Sequence, residues 1–335
     1  MMKTYLIKRL LLMIPTLLGI TVITFVIIRL APGDPAAMRV GSSLQGTIGE
    51  EQVARAIIEK TRQEFGLDKP LHVQYWLWVT KIATLDFGRS YKDNRLVMDK
   101  IWERLPITIQ LNVISIFLIY IFAIPIGIYS STHQYSVGDK ISTVALFVMY
   151  SLPSFWVATI LILLLGGVGS WYNFPISGIS SLDANQMPFW PWLLDRLWHL
   201  ALPVFCLTYG GLAYISRQMR AGMLETIRQD YIRTARAKGL SERVVILKHA
   251  FRNSLIPIVT LLGFLLPALF GGSVIIESIF TIPGMGALGF DAILSRDYPV
   301  VMAIATIAAF LTLLGLLFSD LLYALVNPTI SLEAQ

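Results

Sequence analysis

The sequence predicts an all-α, polytopic membrane protein, and three observations carry that prediction. Of its 335 residues 55% are hydrophobic and 14% charged, against roughly 25% charged in soluble domains. Several apolar runs reach the roughly 20 residues that a helix needs to cross a bilayer. The basic residues gather in one stretch between two such runs. The net charge of +6 therefore speaks for topology and not for nucleic-acid binding. Cys206 is the only cysteine, so a disulfide within the chain and a cysteine metal site are both excluded.

Lys3, Lys8 and Arg9 precede the apolar run Leu10 to Leu30. That run is too long for a cleaved signal peptide and no small-residue cleavage site follows, so residues 1–30 are expected to be a retained anchor with its N-terminus inside. Residues 31–105 read as an extracytoplasmic insertion. It opens on the turn APGDP (31–35), passes a Gly/Ser-rich stretch (40–49), and shows near-helical spacing of Val53, Ile57, Ile58 and Phe65 before Gly66. Leu71 to Ile82 carries Tyr75, Trp76 and Trp78, as suits a segment at the membrane interface. FGLDKP (65–70) and DFGRS (86–90) read as turns that shape this insertion.

Residues 106–325 are expected to hold five more spans: Ile107–Ser130, Ile141–Leu165, Leu200–Ser216, Leu255–Ile276 and Pro299–Leu325. Six spans put both termini inside, with 326–335 as a cytoplasmic tail. Pro153, Pro257, Pro267 and the Gly271–Gly272 pair interrupt spans, and such breaks are tolerated where they face other helices or a water-lined path. Trp171, Trp190, Trp192 and Trp198 in the connection before the fourth span suit headgroup anchoring.

The basic stretch is the loop 217–254. From Arg217 to Arg252 it holds nine Lys/Arg (217, 220, 228, 233, 236, 238, 243, 248, 252) against Glu225, Asp230 and Glu242. A short loop this basic is held on the cytoplasmic face. Its pattern is helix, glycine, helix. Met223, Ile227 and Tyr231 predict one apolar stripe up to Ala235; Gly239 can take the left-handed turn that ends a helix. Ser241 suits an N-cap, Leu240 can staple onto Val245, and Val244, Leu247 and Phe251 are expected to line one face. Two readings fit such a stretch: a basic linker lying on anionic lipid headgroups, or a docking helix pair for a partner that pushes on the membrane part.

The run TARAKGLSERVVILKHAFRNSLIP (Thr234 to Pro257) resembles the EAA loop of bacterial ABC importer permeases, in the form of the dipeptide/oligopeptide/nickel branch. Ala235 and Gly239 stand at its usual anchors. Arg233 replaces the Glu of the motif name and Arg252 a Pro of other branches, as in that branch. The resemblance extends from KRLLLMIPTLLGITVITF (8–25) through RLPITIQL (104–111) and HLALPV (199–204) to DLLYALVNPTI (320–330). It implies a type I importer permease fold in the bacterial inner membrane, with an insertion after the first helix. It implies as partners a second homologous permease, two ABC ATPase subunits and an extracytoplasmic solute-binding protein. On it, the ATPase-coupling residues are Arg233, Thr234, Ala235, Arg236, Ala237, Lys238, Gly239, Leu240, Ser241, His249 and Arg252. The cargo it implies is di- or oligopeptides, with nickel, glutathione or oligosaccharides in relatives.

The run IESIFTIPGMGALGFDAILSRDYPV (276–300) contains G-x-G-x-x-G at Gly284, Gly286 and Gly289. It lies between two spans without a βαβ unit, so nucleotide binding is rejected. In the resembling branch this region forms the outer rim, and the gate candidates are Gly271, Gly272, Glu277, Gly284, Gly286, Arg296 and Asp297, with Arg296 and Asp297 fixing the rim by ion pairing. His72, His133, His199 and His249 fall in different loops, and no protease or lipase motif occurs. No G-x-x-x-x-G-K-[ST] phosphate loop occurs either, so this chain is expected to bind no cofactor and no metal. ATP and Mg then belong to partner subunits. Charge inside the spans is confined to Arg29 and Asp320 near their ends, which weighs against an ion-coupled carrier; a scaffold would have no use for broken spans.

Overall fold

The computed structural model describes residues 2–30, a few positions between 56 and 63, then 66–167 and 173–326. APGDP, the 40–49 stretch, Val53, Ile57, Phe65, Trp171 and the tail 327–335 lie outside the described residues. Among the described residues the chain is helical, with no strand beyond two isolated bridges.

Helix α1 (Met2–Leu30) is apolar on all sides and mostly uncovered by protein, as a helix facing lipid should be. It packs mainly on α13 (Tyr298–Val326) and on α2 (Leu71–Ala83). Tyr75 and Trp78 of α2 meet Phe25, and the Tyr75 hydroxyl lies 3.0 Å from the Thr21 hydroxyl. At the other end of α1, Arg9 pairs with Asp320 of α13 at 3.1 Å and Tyr5 donates to the same carboxylate at 2.9 Å. The acid near the end of the last span is thereby neutralised.

Two long helices make the spine. α3 (Val97–Thr132) and α6 (Phe189–Ile227) have 36 and 39 residues, about 54 and 58 Å at the usual rise, longer than the hydrocarbon layer. The apolar runs expected from sequence, Ile107–Ser130 and Leu200–Ser216, are the inner parts of these longer helices. They cross closely at Gly127, where a Cβ would sit 2.6 Å from Met219 Cβ.

The third expected span is broken. α4 (Val137–Ser151) and α5 (Ser154–Leu165) meet at 97° around Leu152 and Pro153. Proline has no N–H to continue the ladder, and the Leu152 carbonyl accepts instead from the Tyr209 hydroxyl of α6 at 2.8 Å. After α6 come α7 (Asp230–Ala237) and α8 (Glu242–Ser254), which bends by 47° into α9 (Ile256–Leu262). The expected fifth span, Leu255–Ile276, is likewise several pieces: α9, α10 (Leu265–Gly271) and α11 (Val274–Ile279). α12 (Met285–Leu294) leads to α13. Among the described residues four helices are long and apolar enough to span, and the total reaches six when each bent pair counts as one. α9 and α13 touch backbone to backbone at Gly263 and Gly315, and Ser319 donates to Val259 O at 3.2 Å. These contacts put the start of α1 and the end of α13 at the same end of the bundle as the basic loop.

Candidate functional site

At the basic end, α6 carries Met219 and Met223 into a buried cluster with Ile232 and Ala235 of α7, Val245 and Ala250 of α8, and Ile258 of α9. The stripe expected through Met223, Ile227 and Tyr231 is corrected: the chain turns at Arg228–Gln229, so Tyr231 starts a new phase and is exposed while Ile232 is buried. α7 ends at Lys238, and Gly239 has φ +77, the left-handed turn the sequence predicts there. Ser241 has the extended cap backbone without a side-chain hydrogen bond; its carbonyl accepts from Val244 and Val245 N at 2.9 and 3.0 Å. Leu240 is exposed and so forms no buried staple. Val244 and Leu247 share the exposed side, while Phe251, expected on the same face, is half-buried against the cluster, because Val245–Ala250 winds as a π turn. The wider turn shifts the phase of every following residue.

The elbow between α7 and α8 is closed by polar contacts. Arg236 donates to both Glu242 oxygens, at 2.6 and 3.1 Å, and Asn253 donates to the Tyr231 hydroxyl at 2.8 Å. The Arg236 hydrogen bond holds the Glu242 carboxyl below the usual carboxylate range. Of the residues assigned to coupling, Arg233, Thr234, Arg236, Ala237, Lys238, Gly239, Leu240, Ser241 and Arg252 are exposed together, His249 is half-buried and Ala235 faces inward. Beside them sits a strut the sequence reading missed. Asp139, at the start of α4, is buried; it accepts from Ser130 and from Tyr135 N (2.9 Å) and pairs with Arg220 of α6 at 3.1 Å. A lone acid in a short polar loop gives no sign of a cation 81 positions away.

At the opposite end, Glu277 of α11 is 2% exposed. One oxygen accepts from Ala287 N at 2.7 Å; the other accepts from Ser273 N at 3.2 Å and from Thr108 of α3 at 3.3 Å. Thr108 in turn accepts from Met285 N at 2.8 Å. The glycines of the motif make room for this carboxylate. A Cβ on Gly284 would overlap Glu277 Cδ, and one on Gly272 (φ +64) would overlap its Oε1. On Gly286 a Cβ would lie 2.6 Å from Val274 N. The G-x-G-x-x-G run thus does build a backbone anion cradle, and the anion is the chain's own. Gly271, by contrast, has nothing within 4 Å of the place a Cβ would take.

Asp297 is 1% exposed and accepts from Ser90 (2.5 Å) and Tyr91 N (2.8 Å), with Lys100 at 3.6 Å. The expected part of Arg296 in ion pairing is corrected: among the described residues Arg296 makes no salt bridge, and its backbone takes φ +53 at the turn. Lys100 also pairs with Asp93 at 2.8 Å. Burial, the largest single influence, pushes the Asp93 carboxyl up, but the bonds from Lys100, Ser90 and Arg95 N together outweigh it and hold the group at about 2. DFGRS is therefore a clasp on the start of α13. Thr108, Ser90 and Lys100 escaped the sequence reading, because nothing local marks a partner 169 to 207 positions away.

Comparison with known proteins gives these two sites a common setting. Residues 123–332 match the family model for the binding-protein-dependent transport system inner membrane component, and residues 1–112 the model for its N-terminal part. An oligopeptide transport system permease protein of Bacillus subtilis is 40% identical, over 98% of this chain and 99% of its own. A dipeptide transport system permease protein of Alkalihalophilus pseudofirmus is 37% identical, with 98% and 99% covered. An inner membrane ABC transporter permease protein of Escherichia coli is 34% identical over the full length of both. With the two matches together covering nearly the whole chain, this chain belongs to the family of binding-protein-dependent transport system inner membrane components.

Proposed function

We propose that this chain is one permease subunit of a bacterial ATP-driven importer, forming with a second, homologous permease the membrane path for di- or oligopeptides. The observation that carries the reading is the elbow: its buried stripe is continuous with α6 and α9, while its coupling residues stand exposed together. A chain without a phosphate loop that offers such a surface takes its work from outside. Two ATPase subunits, binding ATP and Mg, would grip the elbow. The likeness to oligopeptide and dipeptide permeases favours peptides over nickel, glutathione or oligosaccharides as cargo.

In this reading the basic end is cytoplasmic, as the excess of Lys and Arg requires. Closure of the ATPases pushes the row from Arg233 to Ser241. Because Ile232, Ala235 and Val245 are packed against Met219, Met223 and Ile258, the push tilts α6 and α9 as one body. The ATPase shifts the permease between inward- and outward-facing states only through different contacts in the two. At the other end, Gly272, Glu277, Gly284 and Gly286 hold α11 and α12 as a rigid rim element, and Asp297 ties that rim to the insertion on which a binding protein docks. Gly271, with open space beside it, and Arg296, at the turn, lie next to the moving path.

The test is reconstitution. Proteoliposomes with both permeases, the ATPases and a peptide-loaded binding protein should take up peptide only with ATP. Uptake by this chain alone, or labelling of a Lys238→Cys variant from the external side of intact cells, would overturn the reading.

A further inference from the structure

At the end of the bundle opposite the basic loop, the outgoing turn of α1, Gln63, Gly66 and Lys69 ahead of α2, α2 itself, the 86–96 loop and the first turns of α13 line a cavity of about 710 Å³. Among the described residues its lining carries Arg29, Lys69, Lys81 and Arg89 against one acid, Asp86. Two buried polar atoms of that lining have no hydrogen-bond partner among the described residues, and they are of opposite kind: Arg29 Nε, a donor, and Gln74 Oε1, an acceptor. The Gln74 amide orientation is fixed, because its nitrogen donates to Leu67 O and Lys69 O at 3.2 and 2.6 Å. The Arg29 guanidinium is held over the rings of Phe25 and Tyr298 at 5.3 and 5.7 Å. Buried donors and acceptors are rarely left unmade in folded proteins. A guest that brings both an acceptor and a donor would satisfy this wall.

The depth of the cavity narrows the guest. Arg29 stands in the last turn of α1 and Met302 in the second turn of α13, where both spans leave the apolar layer. α2 lies along α1, and turns Leu71 and Trp76 outward, 56% and 67% exposed. α1 packs mainly on α13 and α2, so the cavity belongs to the lipid-facing flank of the bundle and not to the Glu277 clamp.

We propose that this cavity binds the headgroup of an anionic phospholipid. The phosphodiester accepts from Arg29 Nε within a wall of four cations, and a headgroup hydroxyl donates to Gln74 Oε1. Phosphatidylglycerol supplies both groups. Phosphatidylcholine has no hydrogen to donate from its quaternary ammonium, which also cancels the charge of its phosphate. The inference does not depend on what the protein carries.

The experiment is native mass spectrometry of the detergent-purified transporter complex, equilibrated with equal amounts of phosphatidylglycerol and phosphatidylcholine. The wild type should retain phosphatidylglycerol roughly tenfold over phosphatidylcholine, the scale of one charge-assisted hydrogen bond. Arg29→Gln should bring the two lipids close to parity, whereas Arg29→Lys, which keeps the charge, should keep part of the preference. Because Arg29 also packs between aromatic rings, the exposed pair Lys81→Gln/Arg89→Gln provides a second reading and should also lower the ratio. Equal retention by the wild type, or an unchanged ratio in both the Arg29→Gln and the double variant, would overturn the proposal. Displacement of the lipid by free glycerol phosphate at the same concentration would also overturn it, by making this a soluble-anion site; displacement by a dipeptide would do so by making it part of the transport path.

Discussion

The elbow at the basic end and the clamp around Glu277 are both built on a glycine with positive φ, and they use it in opposite ways. Gly239 (φ +77) has nothing within 4 Å of a would-be Cβ, whereas Gly272 (φ +64) lies against Glu277 and Gly286. The first glycine serves a turn of the chain and the second a close approach. Charge follows the same division. Arg233, Arg236 and Lys238 stand in water, where their cost is small and another protein can reach them. Glu277 is enclosed, its oxygens taken up by backbone N–H groups and Thr108. One region is left open for a partner; the other is complete within the chain.

The largest effect expected from this contrast is at the Gly271–Gly272 pair. Gly272→Ala should cost about 4 kcal/mol from strain and overlap together, and should abolish folded, detergent-stable protein. Gly271→Ala should stay within about 0.5 kcal/mol of wild type in thermal unfolding. Equal losses at the two positions would break the distinction. Next is Asp139→Asn, which leaves Arg220 without its buried partner and should cost about 3 kcal/mol. A double-mutant cycle with Arg220→Met should recover part of that loss. Alanine at exposed Arg233 or Lys238 should leave stability unchanged, so the buried pair of Asp139 and Arg220 carries the larger stability effect.

Gly239→Val should cost about 2 kcal/mol from backbone strain alone, with the fold retained. Its signature is ATP hydrolysis without matching peptide uptake, and Gly239→Asn, which tolerates the left-handed turn, should restore coupling. Normal coupling in the valine variant would sink the hinge reading. A smaller effect is expected from pH. The Asp93 carboxyl sits at about 2 in the folded chain, below its unfolded value near 4. Its contribution is therefore present above about pH 4 and fades as pH falls towards 2. Asp93→Asn should remove that part of the acid sensitivity in thermal scans between pH 2 and 5. Smallest is Arg236→Ala: the pair with Glu242 is exposed, worth about 0.2–1 kcal/mol, and should vanish in high salt.

Much of the elbow was legible because its signals are local: a basic run, a glycine between two amphipathic stretches, an apolar residue every third or fourth position. The error there was one of phase. The turn at Arg228–Gln229 and the π turn over Val245–Ala250 each rotate the following residues, and a spacing rule read straight through them misplaces Tyr231 and Phe251. At the clamp, Glu277, Asp297 and the glycines were singled out, but the G-x-G-x-x-G pattern could only be rejected as a nucleotide site. Its use as a cradle for Glu277 depends on Thr108, contributed by another helix.

By itself the sequence determined where the long apolar runs lie, which loop carries the positive charge and where the chain must turn, because each rests on hydrophobic length, net charge or the missing Cβ of glycine. Tertiary structure alone decided that Leu152 is met by Tyr209, Asp139 by Arg220, Glu277 by Thr108 and Asp297 by Ser90 and Lys100. A buried carbonyl or carboxylate must find a donor, but the requirement sets only the kind of partner. Which donor answers is fixed by how the helices pack, over separations at which the chain retains no local memory.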